Sequence, residues 1–208
     1  MRGFSLVLIA TLFAGIPYAA GAKTALLVPL EGPAFLLSLK YATEDNFLKK
    51  NVYAPFQLDR CYLHADLAAK LKQLAPKLEA KGLKLVLWDC YRPLEVQRAM
   101  WKLVPDPRYV ADPKTGSNHN RGIAVDVSLA NADGTPVEMP TAFDDFSPAA
   151  APTAPCKPEH SSQCNNRDLL ITLMAGVGLK PLSTEWWHFQ LPNANRYPIV
   201  EALDAASP

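Results

Sequence analysis

The stretch "SNHNRGIAVD", Ser117 to Asp126, carries a histidine and an aspartate seven positions apart with a glycine between them. Its second half continues as "IAVDVSLA" (Ile123–Ala130), where Ile123, Val125, Val127 and Leu129 alternate with Ala124, Asp126 and Ser128. Alternation of this kind is the period of a pleated strand, so Asp126 stands on the face opposite the apolar row. His119 lies in the polar loop before it. The pair can hold a metal, share a proton in a catalytic triad with Ser117, or simply belong to a turn.

Upstream, "LKLVLWD" (Leu83–Asp89) is a short apolar run that reads as a buried strand. It ends at "DCYRP", where Pro93 stops the strand and opens a helix over "LEVQRAMWKLV" (Leu94–Val104). Earlier still, Leu67, Leu71, Leu74 and Leu78 mark one face of a helix that Gly82 terminates, with a kink or break expected at Pro76. Downstream, the Asp133-Gly134 step in "NADGTP" predicts a hairpin turn. A long loop follows, "TAFDDFSPAAAPTAPCKPEHSSQC" (Thr141–Cys164); then come a helix from Asn165 to Gly178 and a last strand, "TEWWHFQL" (Thr184–Leu191). Short strands and segregated helices, without repeats or linkers, predict a single α+β domain with a mainly antiparallel sheet, helices packed around it and the site at the sheet. Loops this long in one domain form a site or cover one.

The chain has 208 residues, 49% of them hydrophobic, and a net charge of +1. That balance offers no electrostatic basis for binding nucleic acid or an anionic membrane. Met1-Arg2, the apolar run "FSLVLIATLFAGI" and "AAGA" ending at Ala22 have the layout of a secretory signal peptide over residues 1–22. The mature domain is then expected to run from Lys23 to Pro208, with no membrane span after cleavage, in the periplasm or secreted. Export makes the four cysteines candidates for disulfides. Of the three possible connectivities, one joins Cys156 and Cys164 across a local loop and leaves Cys61 with Cys90; the sequence does not fix the pairing. No Cys-x-x-Cys pair supports a cysteine zinc cluster, and nothing else marks Cys90 as a nucleophile.

The four histidines are His64, His119, His160 and His188. "Glu185-Trp-Trp-His188" adds a second nitrogen and a spare carboxylate to His119 and Asp126. Three protein ligands leave a fourth zinc position open, and an unligated carboxylate can take a proton from water. The triad alternative lacks the strained elbow that exposes such a serine. In the bland alternative, His119 sits in a loop, Asp126 bonds to backbone and His188 lies at the surface beside tryptophans. One conflict stands out: Glu185 and His188 are three apart, so a regular pleat points them to opposite faces. A shared site requires the pleat to break near Trp186-Trp187, or Glu185 to sit in the loop entering the strand. Arg92, at the end of a buried strand, suits stabilisation of a developing oxyanion, or else it is held by a structural carboxylate. His64 and His160 read as non-catalytic, and Trp186 and Trp187 as core or pocket wall.

The ordered set "DCYRP", "SNHNRGIAVDVSL", "FDDF" and "EWWHF" resembles the zinc D-alanyl-D-alanine dipeptidases, within a wider group of D,D-carboxypeptidases sharing their zinc site. The likeness spans most of the chain, from Tyr41 to Phe189. It implies one Zn2+ per chain held by His119, Asp126 and His188, with Glu185 as general base and acid and Arg92 stabilising the tetrahedral intermediate. It further implies that Asp144 binds the ammonium of a small dipeptide and that Ser117 contacts substrate or shapes the site. The Ala/Pro-rich segment just after Asp144 departs from the family pattern and bears on pocket shape. D-Ala-D-Ala hydrolysis is the expected activity. Its rivals are carboxypeptidase action on peptidoglycan stems, or a non-catalytic zinc- or peptidoglycan-binding module, which would need neither Glu185 nor Arg92.

Overall fold

The computed structural model describes residues 27–201; the expected signal peptide and its cleavage before Lys23 lie outside the described residues. The strands are β1 (Leu27–Pro29), β2 (Phe35–Leu37), β3 (Tyr62–His64), β4 (Leu83–Asp89), β5 (Ala124–Asn131), β6 (Lys180–Leu182) and β7 (Glu185–Gln190). The α-helices are α1 (Ala65–Lys72), α2 (Ala75–Glu79), α3 (Leu94–Leu103) and α4 (Ser161–Ala175). Five strands form one sheet in the order β2-β4-β5-β7-β6, while β1 and β3 pair separately. Every pairing is antiparallel except β2 with β4. The α+β architecture with a mainly antiparallel sheet is the one expected. No helix among the described residues is long and apolar enough to cross a membrane.

β5 is the middle strand, and all its residues from Ala124 to Ala130 are buried. Both of its faces are therefore covered, which is why small Ala124 and Ala130 flank Asp126 and Ser128 on one side and branched residues fill the other. The leucine-lined helix is broken as expected: α1 ends at Lys72, and Pro76 sits in the first turn of α2, where a missing N–H costs nothing. Leu67, Leu71, Leu74 and Leu78 are all fully buried. His64 caps α1, its Nδ1 accepting from Asp66 N–H at 3.1 Å, a structural duty.

Three sequence boundaries shift. α3 starts at Leu94 behind its Pro93 cap, as expected, but ends at Leu103 rather than Val104. α4 starts at Ser161 instead of Asn165, because the Pro158–His160 turn leads straight into it, and it ends at Ala175, before Gly178 takes a left-handed φ of +76°. The "NADGTP" turn forms, with Asn131 N–H donating to Thr135 O, but its returning arm makes only the Ala130–Pro136 bridge.

Two register breaks matter most. β4 pairs Leu87 with Val127 and Asp89 with Asp126, which leaves Trp88 bulged out of the ladder. β6 pairs Pro181 with Phe189 but Leu182 with Glu185, so the pleat of β7 is interrupted across Trp186–His188. A bulge re-aims side chains, and both of these sit beside the same residue, Asp126 or its neighbour His188.

The disulfides pair Cys61 with Cys90 and Cys156 with Cys164, a connectivity that the sequence left open. Cys61–Cys90 ties the entry to β3 to the exit from β4 across 29 positions, whereas Cys156–Cys164 closes only 8. Loop-closure entropy then makes removal of the first the more costly, about 3–4 kcal/mol. Urea unfolding of Cys61→Ala/Cys90→Ala beside Cys156→Ala/Cys164→Ala checks the order; a larger loss for the second pair contradicts it.

Candidate metal centre

Asp126 faces His188 directly across the β5–β7 ladder. Residues opposite each other on one face of an antiparallel pair are close enough for side chains to meet. His119 opens the short 3-10 turn His119–Arg121, which Gly122 ends at φ +66°. A Cβ on Gly122 would run into the Leu27 side chain and lie 2.9 Å from the His64 backbone nitrogen. The turn that carries the chain from His119 into β5 therefore needs glycine both for its φ and for its close passage over β1 and β3.

The result is a tight triangle. His119 Nε2 lies 3.3 Å from Asp126 Oδ1, His188 Nδ1 lies 3.0 Å from the same oxygen, and the two nitrogens are 3.1 Å apart. All three residues are buried. The far nitrogen of each ring is held in turn. His119 Nδ1–H donates to the Cys90 carbonyl at 2.8 Å, and His188 Nε2–H donates to Gln190 Oε1 at 3.1 Å. These bonds place the ring protons outward and aim two bare lone pairs at the Asp126 carboxylate.

Glu185 joins the triangle because β7 is broken. Its Oε2 is 4.0 Å from His188 Nδ1, and the side chain is buried. The pleat conflict expected from the three-residue spacing is thus resolved by the irregularity over Trp186–His188. Burial pushes the Glu185 carboxyl up to about 8, with His188 pulling it down and Asp126 adding to the rise.

Arg92 is anchored on every side. Its Nε and one terminal nitrogen donate to Asp89 Oδ2 at 3.0 and 2.6 Å, and the other terminal nitrogen donates to Gln97 Oε1 at 2.8 Å. The Tyr41 ring lies 5.2 Å from the guanidinium, and Asp126 Oδ2 is 3.9 Å away. Burial works against the charge, but Asp89 and its neighbours more than restore it. The structural-carboxylate alternative is therefore half right: Asp89 holds Arg92, and it holds it facing the cleft. Tyr53 O–H and Cys90 N–H both donate to Asp89 Oδ1, so the acidic anchor is itself fixed.

Asp144 adopts a left-handed φ of +58°, rare for a non-glycine residue and often found where function holds it. It accepts from Tyr41 O–H at 3.0 Å and from Phe47 N–H at 3.3 Å. Burial pushes its carboxyl up to about 7. Ser117 Oγ accepts from the backbone N–H of His119 at 3.2 Å, shaping the turn rather than meeting the imidazole. With both ring nitrogens of His119 engaged elsewhere, no Ser-His-Asp triad exists. His64 and the exposed His160 stand apart from the site. All seven residues singled out from the sequence line one cleft of about 190 Å³.

A family model described as D-Ala-D-Ala dipeptidase matches residues 27–203. The chain belongs to the D-Ala-D-Ala dipeptidase family. The D-alanyl-D-alanine dipeptidase of Escherichia coli strain K12 is 39% identical over 168 residues, covering 81% of this chain and 84% of that protein. The D-alanyl-D-alanine dipeptidase of Enterococcus faecium is 31% identical over 188 residues, covering 76% and 88%. Among solved structures, a vancomycin-resistance D,D-pentapeptidase mutant in complex with Zn(II) aligns with a TM-score of 0.40 at 18% identity, over 66% of this chain and 77% of that one.

The family is one of zinc metallopeptidases, and the donor set fits that ion. Two imidazole nitrogens and a carboxylate oxygen are zinc's borderline ligands. Their separations of 3.0–3.3 Å are close to the roughly 3.3 Å expected between ligands about 2.0–2.1 Å from a tetrahedral centre.

Sequence reasoning did not single out Tyr41, Tyr53, Gln97, Gln190 or Asn120, whose Nδ2–H donates to the Arg92 carbonyl at 2.7 Å. Tyr41 and Tyr53 precede the site by tens of residues in a stretch with little regular structure, and no local pattern points from them to Asp144 or Asp89. Asp89 was visible inside "DCYRP" three positions before Arg92, the one spacing that could have announced this ion pair.

The half-buried Asp144 gives a pH test. Its folded pKa, about 7, lies above the ordinary 3.8, so the folded state holds its proton more tightly. That contribution to stability is complete below pH 3.8 and is lost as pH rises through 7. Between pH 4 and 8 the parent is expected to lose thermal stability more steeply than Asp144→Asn, since asparagine tolerates the left-handed backbone and carries no proton to lose. Parallel melting profiles for the two proteins would contradict the raised pKa.

Proposed function

We propose that the chain hydrolyses the free dipeptide D-Ala-D-Ala to two D-alanines, with His119, Asp126 and His188 holding zinc. Zinc supplies Lewis acidity at such a site, acidifying water and polarising the peptide carbonyl. Glu185, 4.0 Å from His188 Nδ1, accepts the proton of the attacking water and returns it to the leaving amine. A raised carboxyl pKa suits both halves of that exchange. Arg92 faces the oxygen on which negative charge grows, and its bonds to Asp89 and Gln97 fix it before the reaction begins. Ser117 keeps His119 in its turn and lines the substrate's path.

The observation that carries this assignment is the convergence of the His119/Asp126/His188 triangle, Glu185 and the Asp144 carboxylate in one cleft of about 190 Å³. Asp144 pairs with the substrate's ammonium. An acylated amine would leave that half-buried carboxylate without its counter-charge, a penalty that disfavours longer peptides. A second reading, carboxypeptidase action on stem peptides, draws support from a larger groove of about 710 Å³ that shares Phe47 and Asp144 with the cleft. We further propose export to the periplasm or beyond with loss of residues 1–22. The layout of the N-terminus and the two disulfides support it. Intact mass of the secreted protein tests it: retention of Met1 through Ala22 contradicts cleavage.

Zinc-loaded protein should release D-alanine from D-Ala-D-Ala and leave the N-acetylated dipeptide untouched. Release from a stem pentapeptide with the free dipeptide ignored would establish the second reading instead. Glu185→Ala should keep zinc and lose about 10³-fold in kcat, whereas His119→Ala should lose the metal. Near-normal turnover by Glu185→Ala would remove it as the base.

A further inference from the structure

We infer that Gln190 is a positioning residue for the metal centre: it sets the tautomer of His188 and joins the two histidine-bearing segments into one unit. The inference rests on the proposed role of His188 as a metal ligand. Gln190 lies two residues after His188 in β7 and so projects from the same face of the strand. Its backbone is paired on both sides, with Ala124 of β5 and with Lys180 of β6. Two flanking ladders give its side chain a fixed origin, which a loop residue would lack.

Its Oε1 receives two donors. His188 Nε2–H approaches at 3.1 Å and Asn118 Nδ2–H at 2.6 Å. The first bond keeps the proton on Nε2 and leaves Nδ1 bare toward Asp126 and His119. The second reaches the residue immediately before His119. Asn118 is locked by its own backbone, its carbonyl accepting from Arg121 N–H at 3.2 Å and Ile123 N–H at 3.1 Å. The path His119–Asn118–Gln190–His188 thus joins the two histidines by a second route, beside the direct contacts of the triangle.

The chemistry of the amide is suited to this place. Metal-bound imidazoles are commonly held by a carboxylate, a carbonyl or water. A carboxylate here would add a fourth acidic group to a cleft already lined by Asp126, Asp144 and Glu185. The glutamine carbonyl orients the ring as an acceptor while adding no charge.

The test is zinc affinity measured by competition with a chromophoric chelator, on variants whose fold is checked by circular dichroism. Gln190→Met keeps the side-chain volume and removes the acceptor; it should weaken zinc binding about 10–100-fold. Gln190→Glu restores an acceptor and should bind zinc within a few-fold of the parent. Asn118→Ala should give a smaller loss than Gln190→Met. His188→Ala serves as the reference and should lose zinc almost entirely. Parent-like affinity in Gln190→Met with zinc lost in His188→Ala overturns the inference and leaves the site intact. Equal losses in Gln190→Met and Gln190→Glu assign the effect to packing and also overturn it. Parent-like affinity in His188→Ala overturns the metal site itself. Should Gln190→Met fail to fold, the Gln190→Glu and Asn118→Ala affinities decide: a loss in Asn118→Ala with retention in Gln190→Glu supports the linkage, and the reverse overturns it.

Discussion

Asp126 and His188 stand opposite each other in the β5–β7 ladder, and the rest of the site is arranged around that register. One residue of slip would turn either side chain to the far face of the sheet and destroy the centre. The register is protected by the apolar load on both faces of β5, where nothing from Ala124 to Ala130 reaches solvent. Slippage would expose or crowd that whole set at once. A metal ligand on a central, doubly covered strand therefore inherits the rigidity of the core.

Around this pair the chain uses irregular structure where regular structure would fail. β7 cannot place Glu185 and His188 on one face while remaining pleated, so its ladder breaks across Trp186–His188. β4 bulges at Trp88, which brings Asp89 level with Asp126 and sets Arg92 three residues further on. Trp88 is half-buried and packs against the core, whereas Trp186 is fully buried and its Nε1–H finds Thr141 Oγ1 at 2.8 Å.

The polar groups form a closed hydrogen-bonded set. Asp89 is held by Tyr53, Cys90 and Arg92; Arg92 by Asp89 and Gln97; Asp144 by Tyr41 and Phe47. Buried charge is tolerable only when it is so satisfied. The Cys61–Cys90 disulfide anchors the residue whose carbonyl orients His119, so a bond suited to an oxidising compartment also steadies the metal centre.

Much of this was legible along the chain. Alternation through Ile123–Leu129 set Asp126 apart from the apolar row; the leucine spacing located the α1/α2 pair, and Pro76 located its break. These features follow from local periods and backbone chemistry, which a linear sequence records. The three metal-site donors and Glu185 were recognisable as an inventory, because residue types with rare chemistry cluster in short motifs. Their meeting was not: it depends on which strands become neighbours and in what register. The supports lie further out of reach. Tyr41, Tyr53, Gln97, Asn120 and Gln190 are ordinary residues in the chain, and they acquire their roles only from hydrogen bonds that folding creates. Local periodicity is written residue by residue, whereas register, bulges and buried hydrogen bonds are properties of segments brought together from far apart.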